Sequence, residues 1–260
     1  MKSIKSKKER MSVQLQRLLM MMATILMAFA TLTACDILED NNDENGKEEE
    51  EGGNGGGGVS GKRLKTAIST SASGAIERWE YTYNNDGSLK QSDCYDASSK
   101  RYLYTIITNN SDGKCIKEEY FYVDANMTQI MSYSYDANKK PLKAEGAIET
   151  MGEKIPLTFD FTFQSGRLTR YLIKSGSPGS NGYAEIKYEQ NYDSNGRRTT
   201  TTVTDSSLGT RKLTRTYNSD GTLQKVTADT YAGYPNSGFT TTYTWENGKT
   251  TWNFDDYNPY

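Results

Sequence analysis

The side chains available for chemistry in this chain do not include histidine. The sequence of 260 residues contains three cysteines and no histidine. Without histidine, neither a Ser-His-Asp nor a Cys-His arrangement can form, and a histidine-ligated zinc site is excluded. Three cysteines also fall short of a four-cysteine metal site. We therefore predict a protein without catalytic activity, metal or other cofactor.

Two of the cysteines, Cys94 and Cys115, lie in the body of the chain. In a meander they fall on strands that are separated by the strand over 101–108. Strands two apart are ~9.6 Å from each other, whereas a disulfide needs Cα atoms within ~7 Å. We predict that both thiols are free, and that neither is a nucleophile because no histidine can act as its base.

Carboxylates recur in two settings. One set falls in turn sequences, where Asx side chains cap the backbone and where the alternative is a row of calcium sites: Asp86, Asp112, Asp136, Asp193 and Asp220. The other set falls in strand sequences: Glu118, Glu119, Asp160, Glu185 and Glu189. Two of these could form the carboxylate pair of a glycoside hydrolase, which is the enzymatic alternative. We favour turn capping for the first set and a solvated face for the second.

Aromatic residues are the candidate ligand-binding groups. Five of them could stack on sugar faces: Trp79, Tyr81, Tyr83, Trp245 and Trp252. The simpler interpretation, which we favour, is that such rings brace neighbouring strands in a core. Four tyrosines in loops or in the tail are better placed for outside contacts: Tyr231, Tyr234, Tyr257 and Tyr260.

A repeated turn sequence positions these residues. Tyr83-Asn84-Asn85-Asp86-Gly87-Ser88-Leu89 recurs as Tyr217-Asn218-Ser219-Asp220-Gly221-Thr222-Leu223, with weaker copies elsewhere, one of which has Lys139-Lys140-Pro141 where Gly is expected. Asn or Asp begins such a turn, and Gly supplies positive φ. The copies lie 25 to 29 residues apart, so each period holds two strands and two turns.

Alternation along the segments supports strands. Trp79, Tyr81 and Tyr83 share one face, while Arg78 and Glu80 share the other. About fifteen strands follow from the turn spacing. Because open sheets rarely exceed ~10 strands, we predict an all-β domain over 62–260, a single antiparallel meander that is strongly curved or barrel-like. A two-layer β-sandwich is the alternative.

The N-terminus has the features of a leader. Residues 1–34 have a net charge of +5 and include an uncharged run over 18–34 that is near the lower limit for spanning a bilayer. The run ends in Leu32-Thr33-Ala34-Cys35, which resembles a bacterial lipobox. The resemblance implies cleavage before Cys35 and lipid attachment to it, so that residues 1–34 are a lipoprotein signal peptide. An uncleaved signal anchor is the alternative.

An acidic and glycine-rich segment follows over 35–61. Residues 36–51 carry nine acids and one lysine, for a net charge of −8. Such a composition predicts a disordered, extended tether. Its position resembles the surface-export tag of Bacteroidetes-type lipoproteins, and a plain spacer is the alternative. The remaining residues, 52–260, carry 24 basic and 23 acidic groups, which argues against nucleic-acid binding.

The repeat is similar to YD (Rhs-type) repeats, and the whole arrangement resembles uncharacterised Bacteroidetes lipoproteins with a porin-like fold. That resemblance implies a fold and a location in the outer membrane, but no activity. We predict a lipid-anchored module at the cell surface that binds a glycan or an envelope protein or has a structural role. An outer-membrane pore is a further alternative, although it requires an apolar outward band that these polar faces do not provide.

Overall fold

The protein is a barrel of antiparallel strands. A computed structural model describes residues 61–137, 140–150, 152–180 and 183–250. The strands are β1 (Lys62–Ser71), β2 (Ile76–Tyr83), β3 (Leu89–Asp96), β4 (Arg101–Asn109), β5 (Cys115–Tyr122), β6 (Met127–Tyr135), β7 (Pro141–Thr150), β8 (Glu153–Gln164), β9 (Arg167–Ser175), β10 (Ala184–Tyr192), β11 (Arg198–Asp205), β12 (Gly209–Tyr217), β13 (Leu223–Ala228) and β14 (Phe239–Asn247).

Each strand pairs with its neighbours in sequence, and β1 pairs with β14 to close the barrel. The predicted all-β, barrel-like meander is therefore confirmed, and the sandwich alternative is wrong. The described residues form 14 strands rather than about fifteen. Closure gives every described strand two hydrogen-bonded neighbours, which removes the exposed edges that an open sheet of this size would have.

Alternation decides which side chains form the core. On β2, Trp79 and Tyr81 face the interior with their cross-strand partners Cys94 and Ser92, while Arg78 faces outward. The inward positions of the other strands follow from the same register. Their apolar members form one buried cluster that extends around the barrel. This burial is the main favourable contribution to folding.

Seven strand pairs repeat around one end of the barrel, of which six are hairpins and the seventh is the pair of β14 and β1 that closes the barrel. This end, here called the clasp rim, holds the turns over 84–88, 110–114, 136–140, 164–166, 193–197 and 218–222. Where an even-numbered strand ends at this rim, the odd-numbered strand that follows it carries one extra residue in the pairing. For β14 the strand that carries it is β1. The extra residues are 65, 90, 116, 142, 169, 199 and 224. Such bulges bend strands at barrel rims and increase their twist.

The last inward side chain of six even-numbered strands forms a hydrogen bond across this rim. Each donates to the backbone carbonyl at the start of the odd-numbered strand before it: Tyr83 to Leu64 (2.8 Å), Asn109 to Leu89 (2.9 Å), Tyr135 to Cys115 (2.5 Å), Tyr192 to Leu168 (2.8 Å), Tyr217 to Arg198 (2.8 Å) and Trp245 to Leu223 (2.8 Å). We call this contact the clasp. On β8 the equivalent residue is Phe163, which has no donor.

A cation lies over five of the aromatic rings at this rim, namely four clasp tyrosines and Phe163. The distances from the cation to the ring centroid are 4.9 Å for Arg63 and Tyr83, 5.8 Å for Lys114 and Tyr135, 5.8 Å for Lys140 and Phe163, 5.6 Å for Arg167 and Tyr192, and 5.3 Å for Arg197 and Tyr217. The guanidinium of Arg167 also occupies the space beside Gly196, where a Cβ would come within 2.7 Å of it. The positive φ of 79° at Gly196 is the reason that glycine is favoured there.

The turns of the clasp rim are capped by their own side chains. The carboxylate of Asp86 accepts bonds from the backbone N–H and hydroxyl of Ser88, and Asp220 does the same with Thr222. Asp193 accepts from the backbone N–H groups of Asn195 and Arg197. These contacts are Asx turns, the capping role that we favoured over calcium binding. At the atypical copy, the backbone N–H of Asp136 donates to the carbonyl of Lys140, so that turn keeps the same closing bond.

The clasp predicts opposite effects for two matched substitutions. Tyr217→Phe removes the hydroxyl that donates to the Arg198 carbonyl, so this hydrogen bond is lost. The free energy of unfolding should therefore fall by about 1 kcal/mol. Phe163→Tyr places a hydroxyl where the Pro141 carbonyl can accept it, and should raise stability by about 0.5–1.5 kcal/mol. Denaturant unfolding of the full chain measures both changes.

Tyr104→Phe is the control, because Tyr104 faces outward and stacks on Phe121 without a clasp. We expect a change within about 0.5 kcal/mol for this surface substitution. A loss for Phe163→Tyr, or no difference between Tyr217→Phe and the control, would contradict a stabilising role for the clasp.

Candidate functional site

The outward face of the barrel carries charged side chains near the middle of its strands. Pairs on one strand form ion pairs, as between Lys117 and Glu119 (2.8 Å) and between Lys187 and Glu189 (3.1 Å). A third pair joins Lys174 on β9 to Asp160 on β8 (2.8 Å). A membrane-spanning barrel needs an apolar band at this level. The described strands instead carry these charges at that level, interspersed with exposed apolar side chains such as Ile106 and Ile116.

The proposed sugar platform faces the interior. Trp79 is only 3% exposed, and Tyr81 and Tyr83 lie on the same inward face. Trp245 faces inward opposite Leu64 at the clasp rim. The polar atoms of Tyr83 and Trp245 bond to backbone carbonyls. The structure therefore places these rings in the core rather than on an outer surface where a glycan could stack.

Some predicted sites lie outside the described residues. Cys35, the predicted lipid attachment site, and Trp252 belong to this group, as do Tyr257 and Tyr260. The expectations for them stay predictions. The loop tyrosines differ from each other. Tyr231 is 5% exposed under the guanidinium of Arg211 (4.5 Å), whereas Tyr234 is 49% exposed. Only Tyr234 of this pair presents a ring to solvent.

The strand carboxylates separate into two groups. Glu119, Asp160, Glu185 and Glu189 face outward, and Glu118 faces the interior. Another inward carboxylate, that of Glu77, lies three strands from Glu118, which corresponds to ~14 Å along the wall. A glycosidase pair is at most ~9.5 Å apart. Glu77 and Glu118 therefore do not have the spacing of such a pair.

Glu118 is the centre of a buried polar cluster. Its Oε2 accepts hydrogen bonds from the hydroxyls of Tyr120 (3.0 Å) and Tyr133 (2.6 Å). Its Oε1 has no hydrogen-bond partner among the described residues. Because burial disfavours the charged form more than the two hydroxyls favour it, the pKa of Glu118 rises to about 8. This carboxyl is therefore protonated in the folded protein at neutral pH.

Uncompensated polar groups continue from this cluster along the same wall. Ser92, Thr105, Tyr120 and Gln129 form one row across β3 to β6. The side chains of Ser92, Thr105 and Gln129 are fully buried and have no hydrogen-bond partner among the described residues. Buried polar groups without hydrogen-bond partners cost free energy, so this row lowers the stability of the core.

The facing wall holds a second polar network. Arg215 on β12 donates to the hydroxyl of Thr201 (2.7 Å), which donates to the side-chain oxygen of Gln190 (2.6 Å). Strand β12 is seven strands from β5, so the barrel closure places this network across the interior from Glu118. The two walls differ in charge at neutral pH, because Glu118 on one is protonated and neutral whereas Arg215 on the other is a cation.

The cysteines occupy the predicted strands. Cys94 lies on β3 and Cys115 on β5, with β4 between them, and both are buried. The thiol of Cys94 contacts the hydroxyl of Tyr102 at 3.2 Å. Burial raises the pKa of this thiol, so Cys94 is a poor nucleophile.

An outward stripe of rings and guanidinium groups was not predicted. Arg78 lies over Tyr95 (4.7 Å) and Arg101 lies over Tyr104 (4.6 Å), which stacks on Phe121 (4.7 Å). The alternation that we used to assign Trp79 and Tyr81 inward would also have placed these rings outward. The clue was present in the sequence, but the assignment needs the strand register.

Neither a metal-binding group nor a spanning helix is found in the described part of the chain. No cluster of three or more cysteine, aspartate or glutamate side chains there could hold a metal ion. No helix in these residues is long and apolar enough to cross a membrane.

The position of Glu118 predicts how stability depends on pH. Below the ordinary carboxyl pKa of about 4.5, both the folded and unfolded states are protonated. As the pH rises from there to about 8, the unfolded state loses its proton while the folded state keeps it. The free energy of unfolding should therefore fall over this range, by roughly 1.36 kcal/mol for each pH unit that separates the two pKa values.

Glu118→Gln keeps the shape without the charge, so it should remove most of this fall and be more stable than the parent chain at pH 9. Glu119→Gln is the matched control, because Glu119 faces outward beside Lys117 and its loss should leave the slope in place. Denaturant unfolding across pH measures the slopes. Equal slopes for the parent chain and Glu118→Gln would rule out a buried, neutral carboxyl.

Comparison with known proteins adds similarity in fold. No protein-family model matches the chain, and no curated protein matches it in sequence. A solved structure of a porin-like protein from Bacteroides uniformis is similar over 70% of this chain and 96% of that one, with 12% identity and a TM-score of 0.42. A porin-like protein from Bacteroides vulgatus is similar over 70% and 98%, with 8% identity and a TM-score of 0.47. The chain thus has structural neighbours that are porin-like proteins of Bacteroides.

Proposed function

We propose that this chain is a lipid-anchored protein of the cell envelope whose barrel stands in water as a binding or structural module without catalysis. The observation that carries the proposal is the charged outward face, where ion pairs such as Lys117–Glu119 lie at mid-strand. Lipid contact at that level would require these charges to leave water, which is costly.

The anchor comes from the sequence. Lipid on Cys35 would hold a polar barrel at a membrane, since each buried methylene contributes ~0.8 kcal/mol. Residues 36–61 would separate the barrel from the lipid. The barrel needs no membrane contact of its own in this arrangement, which agrees with its polar exterior. We place the protein in the outer membrane, at the cell surface.

The interior supports a role without catalysis. Of the five strand carboxylates singled out in the sequence, only Glu118 faces the interior, and burial keeps it neutral by raising its pKa. Partner contact would use the outside of the barrel, where the ring and guanidinium stripe of Tyr95, Arg101 and Tyr104 lies. A glycan or an envelope protein remains the proposed partner class.

The proposal predicts how the barrel leaves the membrane. A site for a specific protease is placed within residues 52–58 of the full chain, and membranes from expressing cells are treated with the protease. The barrel should move to the supernatant without detergent, because only the lipid holds it. Mock-treated membranes should keep it in the pellet.

Two further measurements make this test sharper. Metabolic palmitate labelling should mark the parent chain and a Cys94→Ala variant but not Cys35→Ala. A cleaved barrel that stays in the pellet until detergent is added would contradict the proposal and favour the pore. Label retained by Cys35→Ala would contradict the anchor alone.

A further inference from the structure

The inner wall of β3 to β6 carries polar atoms that its own side chains do not satisfy. Six buried side-chain atoms there have no hydrogen-bond partner among the described residues: Ser92 Oγ, Thr105 Oγ1, Glu118 Oε1, Tyr122 Oη and both amide atoms of Gln129. We call these five residues the polar wall. Four of them are fully buried, and Tyr122 is 8% exposed. In native proteins the large majority of such atoms bond to protein or to ordered water.

The strand register brings these residues together. Ser92 lies directly opposite Thr105 across β3 and β4, and the Cβ atoms of such a pair are ~4.5–5.5 Å apart. Thr105 and Gln129 lie on either side of Tyr120, and Glu118 precedes Tyr120 by two residues on the same face. Glu118 is therefore a diagonal neighbour of both Thr105 and Gln129. Long side chains such as those of Glu118 and Gln129 reach across this diagonal.

The geometry of the polar wall suits a bridging molecule better than direct contact. The hydroxyl of Tyr120 donates to Glu118 Oε2 (3.0 Å), two residues back on β5, so the tyrosine ring lies along its own strand. This ring does not join Thr105 on β4 to Gln129 on β6. One water bridges oxygen atoms up to ~5.6 Å apart, which is twice an ordinary O–H···O distance. That reach matches the cross-strand spacing of Ser92 and Thr105.

The donors and acceptors of the polar wall fit an uncharged partner. Oε2 of Glu118 already accepts from Tyr120 and Tyr133, so the proton of this neutral carboxyl belongs on Oε1, which becomes a donor. Gln129 offers two N–H donors and one acceptor, and the hydroxyls do both. The strands β3 to β6, all within the described residues, turn no lysine or arginine inward. An ion would be buried there without a counter-charge, which is costly.

We propose that the polar wall binds ordered water, with one water between Ser92 and Thr105 and another between the Glu118 carboxyl and the Gln129 amide. A buried water makes ~3 hydrogen bonds, so about two waters satisfy the six atoms. Tyr122, diagonal to Thr105, supplies the further hydroxyl of the first site. The waters offset the cost of burying these groups and join β3 to β6 through the core. This inference goes beyond the proposed function and does not depend on the lipid anchor.

The test counts long-lived waters in the full chain by oxygen-17 relaxation dispersion of the solvent. Thr105→Val, Gln129→Met replaces both polar groups by apolar ones of similar shape, and the amplitude of the dispersion should fall by that of about two waters. Thr128→Val is the matched control, because it removes a hydroxyl from the outward face of the same strand as Gln129 and should leave the amplitude unchanged. Equal amplitudes for the parent chain and the double variant overturn the proposal.

A single substitution decides the matter if the double variant does not fold. A buried hydroxyl that bonds to water stabilises the folded state, whereas one without any partner destabilises it. Thr105→Val should therefore unfold at a lower denaturant concentration than Thr128→Val. A midpoint for Thr105→Val at or above that of Thr128→Val overturns the proposal. So does one small polar organic molecule per chain, released on unfolding and detected by mass spectrometry, which would assign the polar wall to that ligand.

Discussion

The clasp at one rim is the interaction on which the rest of the barrel depends. An inward side chain at the end of an even-numbered strand donates to a carbonyl at the start of the preceding odd-numbered strand, as Tyr217 does to Arg198. The bond joins two adjacent strands, which no turn connects at this rim, and so links one hairpin unit of the rim to the next. Because a slip of one residue would move the donor to the outward face, the clasp also fixes register.

Register then determines what each face can do. With Trp79 and Tyr81 inside, Arg78 and Glu80 must be outside, and the same alternation places Glu118 in the core beside Tyr120. The result is a barrel with an apolar cluster within and ion pairs on its outer face. The clasp rings also hold cations at this rim, as Tyr192 holds Arg167 and Tyr217 holds Arg197.

The sequence was sufficient for the fold class because turn chemistry and alternation are local. The repeat around Asp86-Gly87 and Asp220-Gly221 predicted the hairpins, and alternation predicted the faces of β2. Closure of β1 on β14 depends on contacts between residues far apart in the chain, such as Arg63–Glu246 at a separation of 183 and Ser69–Thr241 at 172, which no local pattern reveals. The role of Glu118 was missed although it shares the parity of Tyr120 and Tyr122, because Lys117-Glu118-Glu119 is typical of a solvated run. The core interpretation that the sequence favoured for Trp79 and Tyr81 rests on the same parity, and the structure buries Trp79 on the inward face.

The most direct test of the clasp is native-state hydrogen exchange along the rim. Strand β8 ends in Phe163, which has no donor, whereas β10 and β12 end in Tyr192 and Tyr217, whose hydroxyls donate. If the clasp fixes register, the rim amide of Phe163 should open at a lower free energy than those of Tyr192 and Tyr217. Equal or greater protection at Phe163 would contradict the clasp as the interaction that holds the hairpin units together.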